Sequence, residues 1–254
     1  MKKANYKQIA ETWDEARPLY DENLQLCLNL VAKRVGHRNR IKLLDLGCGT
    51  GRFAIPFANR SGYSVTAIDS SKEMIEKAKQ KDTDSRVDWL VQDVTRLKFI
   101  DSSFDVVFVS HLLHHLDNPY SLIQKCYAIL KPDGVIINRY GAMEHIRNDP
   151  EHRFFPEAIA LDKKRCPTIG QVELWFRDSG FTRVQSETVI QPTYSSGEDR
   201  LSRVKLKSTS VLTLIDQQAF KAGLVNFREY VSENPGDTWL LNDYMTITTG
   251  YKII

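Results

Sequence analysis

Residues 43–52 read LLDLGCGTGR, an apolar run followed by three glycines within five positions. Glycines so closely spaced lose much conformational entropy on folding, so the backbone there must take a shape or allow an approach that side chains forbid. Upstream, Ile41–Leu46 has the length and composition of a buried strand. Downstream, GRFAIPFANRSG is helical in pattern. A strand, a glycine turn and a helix bring backbone N–H groups and a helix N-terminus against a nucleotide-like ligand. The spacing narrows the choice. Counting G-x-G-x-x-G from Gly47 puts the third glycine position on Arg52, whereas the chain has G-x-G-x-G. A dinucleotide pyrophosphate would need close approach where Arg52 carries a side chain, and no G-K-[ST] follows to make a Walker-type loop.

Outward from this turn the alternation continues. Apolar runs at Ser64–Asp69, Val87–Val91, Phe104–Ser110 and Gly134–Asn138 alternate with helical segments such as SKEMIEKAKQK and NPYSLIQKCYAILKPDG. That order predicts an α/β protein with a mostly parallel sheet covered by helices. In the second segment Leu122, Ile123, Cys126 and Ile129–Leu130 share one helical face, and Pro132 and Gly134 end it. Two helices, about 5–15 and 20–35, precede the sheet. After it, TIGQVELWFRDSGF reads as a helix capped by Gly180. TRVQSETVI and YMTITTGYKII read as late strands, an antiparallel pair at one sheet edge.

Two strand ends carry acids. VTAIDSS delivers Asp69, 22 residues after Gly47, where a carboxylate can accept both hydroxyls of a ribose. VQDV delivers Asp93, placed to accept from an adenine amino group. Ligands of open α/β sheets bind at the carboxyl ends of the strands, so these features converge on one crevice.

Composition sets bounds. With 254 residues, 42% hydrophobic and 26% charged, the chain suits one large domain or one domain with an elaboration. A net charge of +3 lends no support to a polyanionic partner, so no nucleic acid is expected. Cys27, Cys48, Cys126 and Cys166 form no C-x-x-C pair, which points to reduced thiols in the cytoplasm. The first residues, MKKANYKQIAETWDE, lack the apolar core of a secretory signal. No apolar run nears the ~18 residues of a transmembrane helix.

LLDLGCGTG, AIDSS, VQDV, FDVVFVSHLLHHL and LKPDGVII resemble, in order and spacing, the motifs of class I S-adenosylmethionine-dependent methyltransferases. The likeness is closest to the group of ubiquinone/menaquinone-type and other small-molecule enzymes. It covers about residues 40–140, with weaker likeness in YKQIAETWDEARPLY and TITTGYK. The resemblance implies a doubly wound, Rossmann-like, mostly parallel seven-stranded sheet with an antiparallel edge strand and helices on both faces. It implies S-adenosylmethionine as cofactor and S-adenosylhomocysteine as product. Asp45, Gly47, Cys48 and Gly49 would then lie along the methionine part, Asp69 on the ribose, and Ser70 and Met74 near the adenine. Asp93 and Val94 would bracket the adenine, with Ser110 and His111 on the reaction side. Gly51 is assigned to close helix packing rather than ligand contact.

The chain is expected to form one domain, 1–254, with an N-terminal helical flap (1–38), a cofactor-binding core (39–140) and substrate-side insertions (141–170 and 192–238). In the flap, Arg17 can pair with the cofactor's carboxylate, and Trp13 or Tyr20 can face the sulfonium; the alternative is an amphipathic helix covering the sheet. The segment after the fifth strand is too long for an ordinary connection, which suits a lid. Its Tyr140, His145, His152, Phe154, Phe155 and arginines fit an anionic or aromatic acceptor, or the lid's own packing. His111, His114 and His115 stand at metal-ligand spacing, but no cysteine or acid cluster supports a metal, and none is expected. Substrate contacts are assigned to Trp13, Tyr20, His111 and Tyr140, and the general base to His111 or His145, whose type titrates near neutrality. The expected activity is methyl transfer to a small molecule by a monomer or homodimer. RNA or protein methylation, or cofactor binding without catalysis, are the alternatives.

Overall fold

The computed structural model describes residues 11, 13–36 and 38–253. Most of the helix expected over 5–15 lies outside these residues; its described part is α1 (Trp13–Ala16), followed by α2 (Asp21–Val35). The core then alternates β1 (Lys42–Leu46), α3 (Ala54–Asn59), β2 (Ser64–Asp69), α4 (Lys72–Lys81), β3 (Val87–Val91), β4 (Phe104–Ser110), α5 (Pro119–Ile129) and β5 (Leu130–Tyr140). Three short helices follow, α6 (Met143–Ile146), α7 (Pro150–Phe154) and α8 (Pro156–Arg165), then α9 (Ile169–Asp178) and β6 (Thr182–Pro192). The chain closes with α10 (Gly197–Lys205), α11 (Gln217–Glu233) and β7 (Asn242–Tyr251).

The seven strands lie in the order β3-β2-β1-β4-β5-β7-β6. β1 to β5 pair in parallel, and β7 runs antiparallel between β5 and β6. The antiparallel strand therefore sits one place in from the edge, and β6 forms the edge itself. The chain winds from β1 outward through β2 to β3, then returns to β4 on the other side of β1. That reversal opens a crevice at the carboxyl ends of β1 and β4, as in other doubly wound sheets.

Strand alternation builds a core on each face. Leu43, Val106, Phe108, Val135 and Ile137 pack with Leu28 and Val31 of α2 and Phe57 of α3. Leu44, Val107, Val109 and Ile136 face the opposite side, against Leu122, Ile123 and Cys126 of α5 and Phe176 of α9. β5 begins at Leu130 rather than Gly134: α5 stops at Ile129, because Pro132 cannot continue a helix and extends the residue before it. The pairing with β4 then shifts register between Phe104 and Val106. α9 carries its Thr168–Gln171 capping box and ends with Gly180 at φ 97°, the C-terminal cap read from sequence.

A third apolar cluster belongs to the insertions. Phe154, Phe155, Leu201, Phe220, Phe227 and Val231 are buried together, with Phe154 stacked on Phe227 at 4.5 Å. α7, α8, α10 and α11 thus form a small body with its own core above the strand ends.

Candidate functional site

The glycine turn takes its shape from three left-handed residues, Gly47 (φ 71°), Gly49 (φ 54°) and Gly51 (φ 78°). The N–H groups of Gly47 and Cys48 donate to the Ile68 carbonyl of β2 at 2.8 and 3.0 Å. A Cβ on Gly51 would stand 2.5 Å from the Trp89 ring of β3; this glycine serves close packing, as its sequence reading held. A Cβ on Gly49 would meet only Trp13 Nε1, at 3.8 Å, so the bare backbone there faces open space. Asp69 Oδ2 accepts from Gly49 N–H and its Oδ1 from Ser71 N–H, each at 2.9 Å. One carboxylate at the end of β2 therefore pins the turn at the end of β1.

A cavity of about 1050 Å³ opens at these strand ends, at the top of the range for pockets that take one drug-sized ligand, about 300–1,000 Å³. Its floor includes Asp45, Gly47, Cys48, Gly49, Asp69, Ser70 and Met74. Asp93 and Val94 border it on the β3 side, and Ser110, His111 and Arg139 on the β4–β5 side. Trp13 of α1 and Arg17 after it also line the cavity, with the Arg17 guanidinium 3.9 Å from the Trp13 ring centroid. α1 is tied to the core by Asp14, which accepts from Thr50 Oγ1 (2.6 Å) in the glycine turn and pairs with Lys81 of α4 (2.9 Å). Asp93 also caps the turn after β3 by accepting from Thr95 N–H at 2.8 Å.

Burial governs the charges. Desolvation, with Asp69 nearby, raises the Asp45 carboxyl to about 8. Burial also raises Asp69, against its backbone hydrogen bonds, and keeps the Cys48 thiol protonated. His111 is held well below its ordinary range by burial first, then by Arg139, Arg17 and Arg52. Its φ of 52° is a left-handed conformation rarely taken by a side-chain-bearing residue. It turns the chain after β4 so that Leu112 folds over the glycine turn, where a Gly47 Cβ would meet Leu112 Cδ1 at 3.0 Å.

Two substrate assignments from sequence are corrected. Tyr140 points to the opposite face of the sheet: it is 2% exposed, lies in the α5–α9 core, and its hydroxyl shares a hydrogen bond with Thr248 Oγ1 at 3.2 Å. Alternation along β5 sends Arg139 to the cavity and its neighbour away from it. Tyr20 does not line the cavity either; its hydroxyl accepts from Arg203 at 2.9 Å, joining the flap to α10. His145 does border the cavity, with Nε2 bonded to Thr188 Oγ1 at 3.1 Å and the ring stacked on Tyr244. His114 and His115, noted in the sequence for their metal-ligand spacing, also line it, as do Arg52, Arg139, Gln191 and Tyr194, which sequence reading left unassigned. The one signal for Arg139 was a charged residue closing an apolar strand, INRY. Among the described residues no group of three or more His, Cys, Asp or Glu is placed to hold a metal ion.

The strand order, the crevice at its reversal and the acids beside a glycine turn define an α/β protein that binds a nucleoside-bearing cofactor. Residues 44–138 match the family model described as a methyltransferase domain. Over 243 residues the chain is 26% identical to 27-O-demethylrifamycin SV methyltransferase of Amycolatopsis mediterranei, covering 90% of this chain and 86% of that protein. It is 28% identical over 210 residues to the ubiquinone biosynthesis O-methyltransferase of Pseudomonas savastanoi pv. phaseolicola, covering 76% and 86%. The fold matches Haemonchus contortus phosphoethanolamine N-methyltransferase 2, solved with phosphomonomethylethanolamine and S-adenosylhomocysteine, with TM-score 0.68 and 19% identity. That match covers 96% of this chain and 57% of that one. Residues 44–138 form a methyltransferase domain of the S-adenosylmethionine-dependent kind. The bare backbone at Gly49, with the Asp69 carboxylate behind it, fits that cofactor. Among the described residues no helix is long and apolar enough to cross a membrane.

Proposed function

We propose that the chain, acting as one domain in the cytoplasm, methylates a small-molecule acceptor on an oxygen or nitrogen. The carrying observation is the cavity itself: it continues from the glycine turn up to the insertions, where Ile146, Asn148, Thr209 and Trp239 roof it. A roofed space suits a compact acceptor better than a polymer, and the relatives named above act on or bind small molecules. Four free cysteines support a reducing compartment.

When bound, S-adenosylmethionine supplies a methyl group already activated by its sulfonium. The chain's work is then binding, alignment, exclusion of water and care of one proton. Gly47, Cys48, Gly49 and Asp45 would hold the methionine part, with Arg17 on its carboxylate. Asp69 would take the ribose hydroxyls, and Ser70, Met74, Asp93 and Val94 the adenine. Trp13 would present an aromatic face to the sulfonium, which such faces attract. Of the two histidines, His111 is favoured as proton acceptor: it stands beside Ser110 at the strand ends, while Nε2 of His145 is engaged by Thr188. Burial and the nearby arginines keep the imidazole neutral near pH 7 but make it a weak base, so it suits an acceptor whose own proton is acidic.

A labelled-methyl transfer screen over metabolite, RNA and protein fractions tests the reading. Label should enter the metabolite fraction. His111→Gln should lower kcat by about 10²–10⁴-fold while leaving S-adenosylhomocysteine affinity intact. Label confined to RNA or protein would refute the small-molecule acceptor.

A further inference from the structure

The guanidiniums of Arg52 and Arg139 border the same ring: their Cζ atoms lie 5.7 and 5.5 Å from the Phe53 centroid. Arg139 is only 5% exposed. Its Nη atoms donate to neutral oxygens, Ser110 Oγ at 3.3 Å and Gln191 Oε1 at 2.6 Å. Its Nε, and the Nε of Arg52, are buried with no hydrogen-bond partner. Among the described residues no carboxylate pairs directly with either guanidinium. The acids nearest in effect are engaged elsewhere: Asp14 with Thr50 and Lys81, and Asp243 beside Arg200 at 3.6 Å. Both arginines face the cavity, next to His111.

Two neighbouring cations with no pairing carboxylate, Arg139 buried and Arg52 half-buried, are costly, and the structure keeps them on the wall of the cavity. Burial and the neighbouring Arg139 and Arg17 push Arg52 down to about 9, a mark of this repulsion. The cofactor does not relieve it. S-adenosylmethionine has one carboxylate but also an ammonium and a sulfonium, so it brings net positive charge. Its carboxylate is matched already by Arg17 in the proposed binding mode.

We propose that Arg52 and Arg139 form an oxyanion subsite for the acceptor, so that the substrate is an acid carrying a carboxylate or phosphate beside the group to be methylated. Gln191, Ser110 and the Cys27 thiol hold the Arg139 fork in place, the donors they leave serve the substrate, and Phe53 gives the subsite a flat apolar wall. The inference rests on the methyltransferase reading and narrows its acceptor.

The test uses the full chain saturated with S-adenosylhomocysteine and titrated calorimetrically with 4-hydroxybenzoate, its uncharged isostere 4-hydroxybenzamide, and phenyl phosphate. At least one of the two anions should bind about tenfold or more tightly than the amide, the scale of a charge-assisted hydrogen bond. The preferred anion identifies the group. Arg52→Gln and Arg139→Gln should each flatten that preference while S-adenosylhomocysteine affinity stays within about threefold. Should Arg139→Gln fail to fold, Arg52→Gln and the wild-type comparison still decide. Normal S-adenosylhomocysteine binding with no charge preference overturns the subsite alone. So does a variant that loses S-adenosylhomocysteine while keeping the preference, because the guanidiniums then serve the cofactor. Absence of S-adenosylhomocysteine binding by the wild type overturns the methyltransferase reading, and the subsite with it.

Discussion

Gly51→Ala separates packing from ligand binding within a single turn. The added Cβ would lie 2.5 Å from Trp89 Cη2, 3.2 Å from Ile55 Cδ1 and 3.3 Å from Ala78 Cβ. Trp89 has little freedom to yield, since its Nε1 donates to Asp82 at 3.0 Å. Placing a side chain at φ 78° costs about 1–2 kcal/mol, and overpacking a closed contact adds about 1–3 kcal/mol. The sum, about 2–5 kcal/mol, is a large share of the 5–15 kcal/mol that holds a typical domain. For a chain of this size it lowers Tm by about 4–20 °C. S-adenosylhomocysteine affinity, measured by calorimetry below the melting range, should stay within a few-fold, because Gly51 does not line the cavity. Gly49→Ala should show the opposite profile, a stability loss limited to the left-handed strain of about 1–2 kcal/mol and a large loss of affinity, since its Cβ points into open cavity. Denaturant and thermal melts of both variants beside the titrations check the pair. A Gly51→Ala protein within about 0.5 kcal/mol of wild type would refute the packing argument.

Asp69→Asn leaves one acceptor oxygen where two now serve Gly49 and Ser71; S-adenosylhomocysteine affinity should fall by roughly 1.5–3 kcal/mol, about ten- to 150-fold, and unchanged calorimetric affinity would place the ribose elsewhere. Asp45 keeps its proton in the folded chain to about pH 8, against an ordinary value of 3.8. The unfolded chain therefore loses its proton first, and stability falls as pH rises between those values. Asp45→Asn should accordingly gain on wild type in denaturant melts as pH is raised through that window, and a constant difference would refute the assignment. Tyr140→Phe removes only the bond to Thr248, so it should cost about 1 kcal/mol of stability and leave turnover and S-adenosylhomocysteine affinity unchanged. Hydrogen exchange in residues 13–20 and 140–165 should slow when S-adenosylhomocysteine and an acceptor are both bound, as closing elements require; equal protection in free and bound protein would make them scaffold only.

The cofactor half of the molecule was legible in the chain because its signals are local. Three left-handed backbone positions demand glycine at fixed spacing, and strand ends announce themselves where an apolar run meets an acid. Leu43–Arg52, Asp69 and Asp93 could thus be read in order and set on one crevice, and Gly51 could be set apart from its neighbours. The unbroken apolar runs of β1, β4 and β5, set between helical segments, likewise determined that both faces of the sheet are covered. The acceptor half is built from long-range meetings that no local pattern encodes. Tyr140 and Arg139 are adjacent in sequence, yet the pleat and the pairing of β5 with β7 decided which one enters the cavity. Tyr20 looked like a cavity aromatic until α10 supplied Arg203, 183 residues away, as its partner. Arg52 and Arg139 lie on different elements, and each alone reads as a surface cation. Only tertiary packing brings Arg139 to Arg52 and Phe53 and leaves both cations without a pairing carboxylate, because a charge takes its meaning from everything that surrounds it.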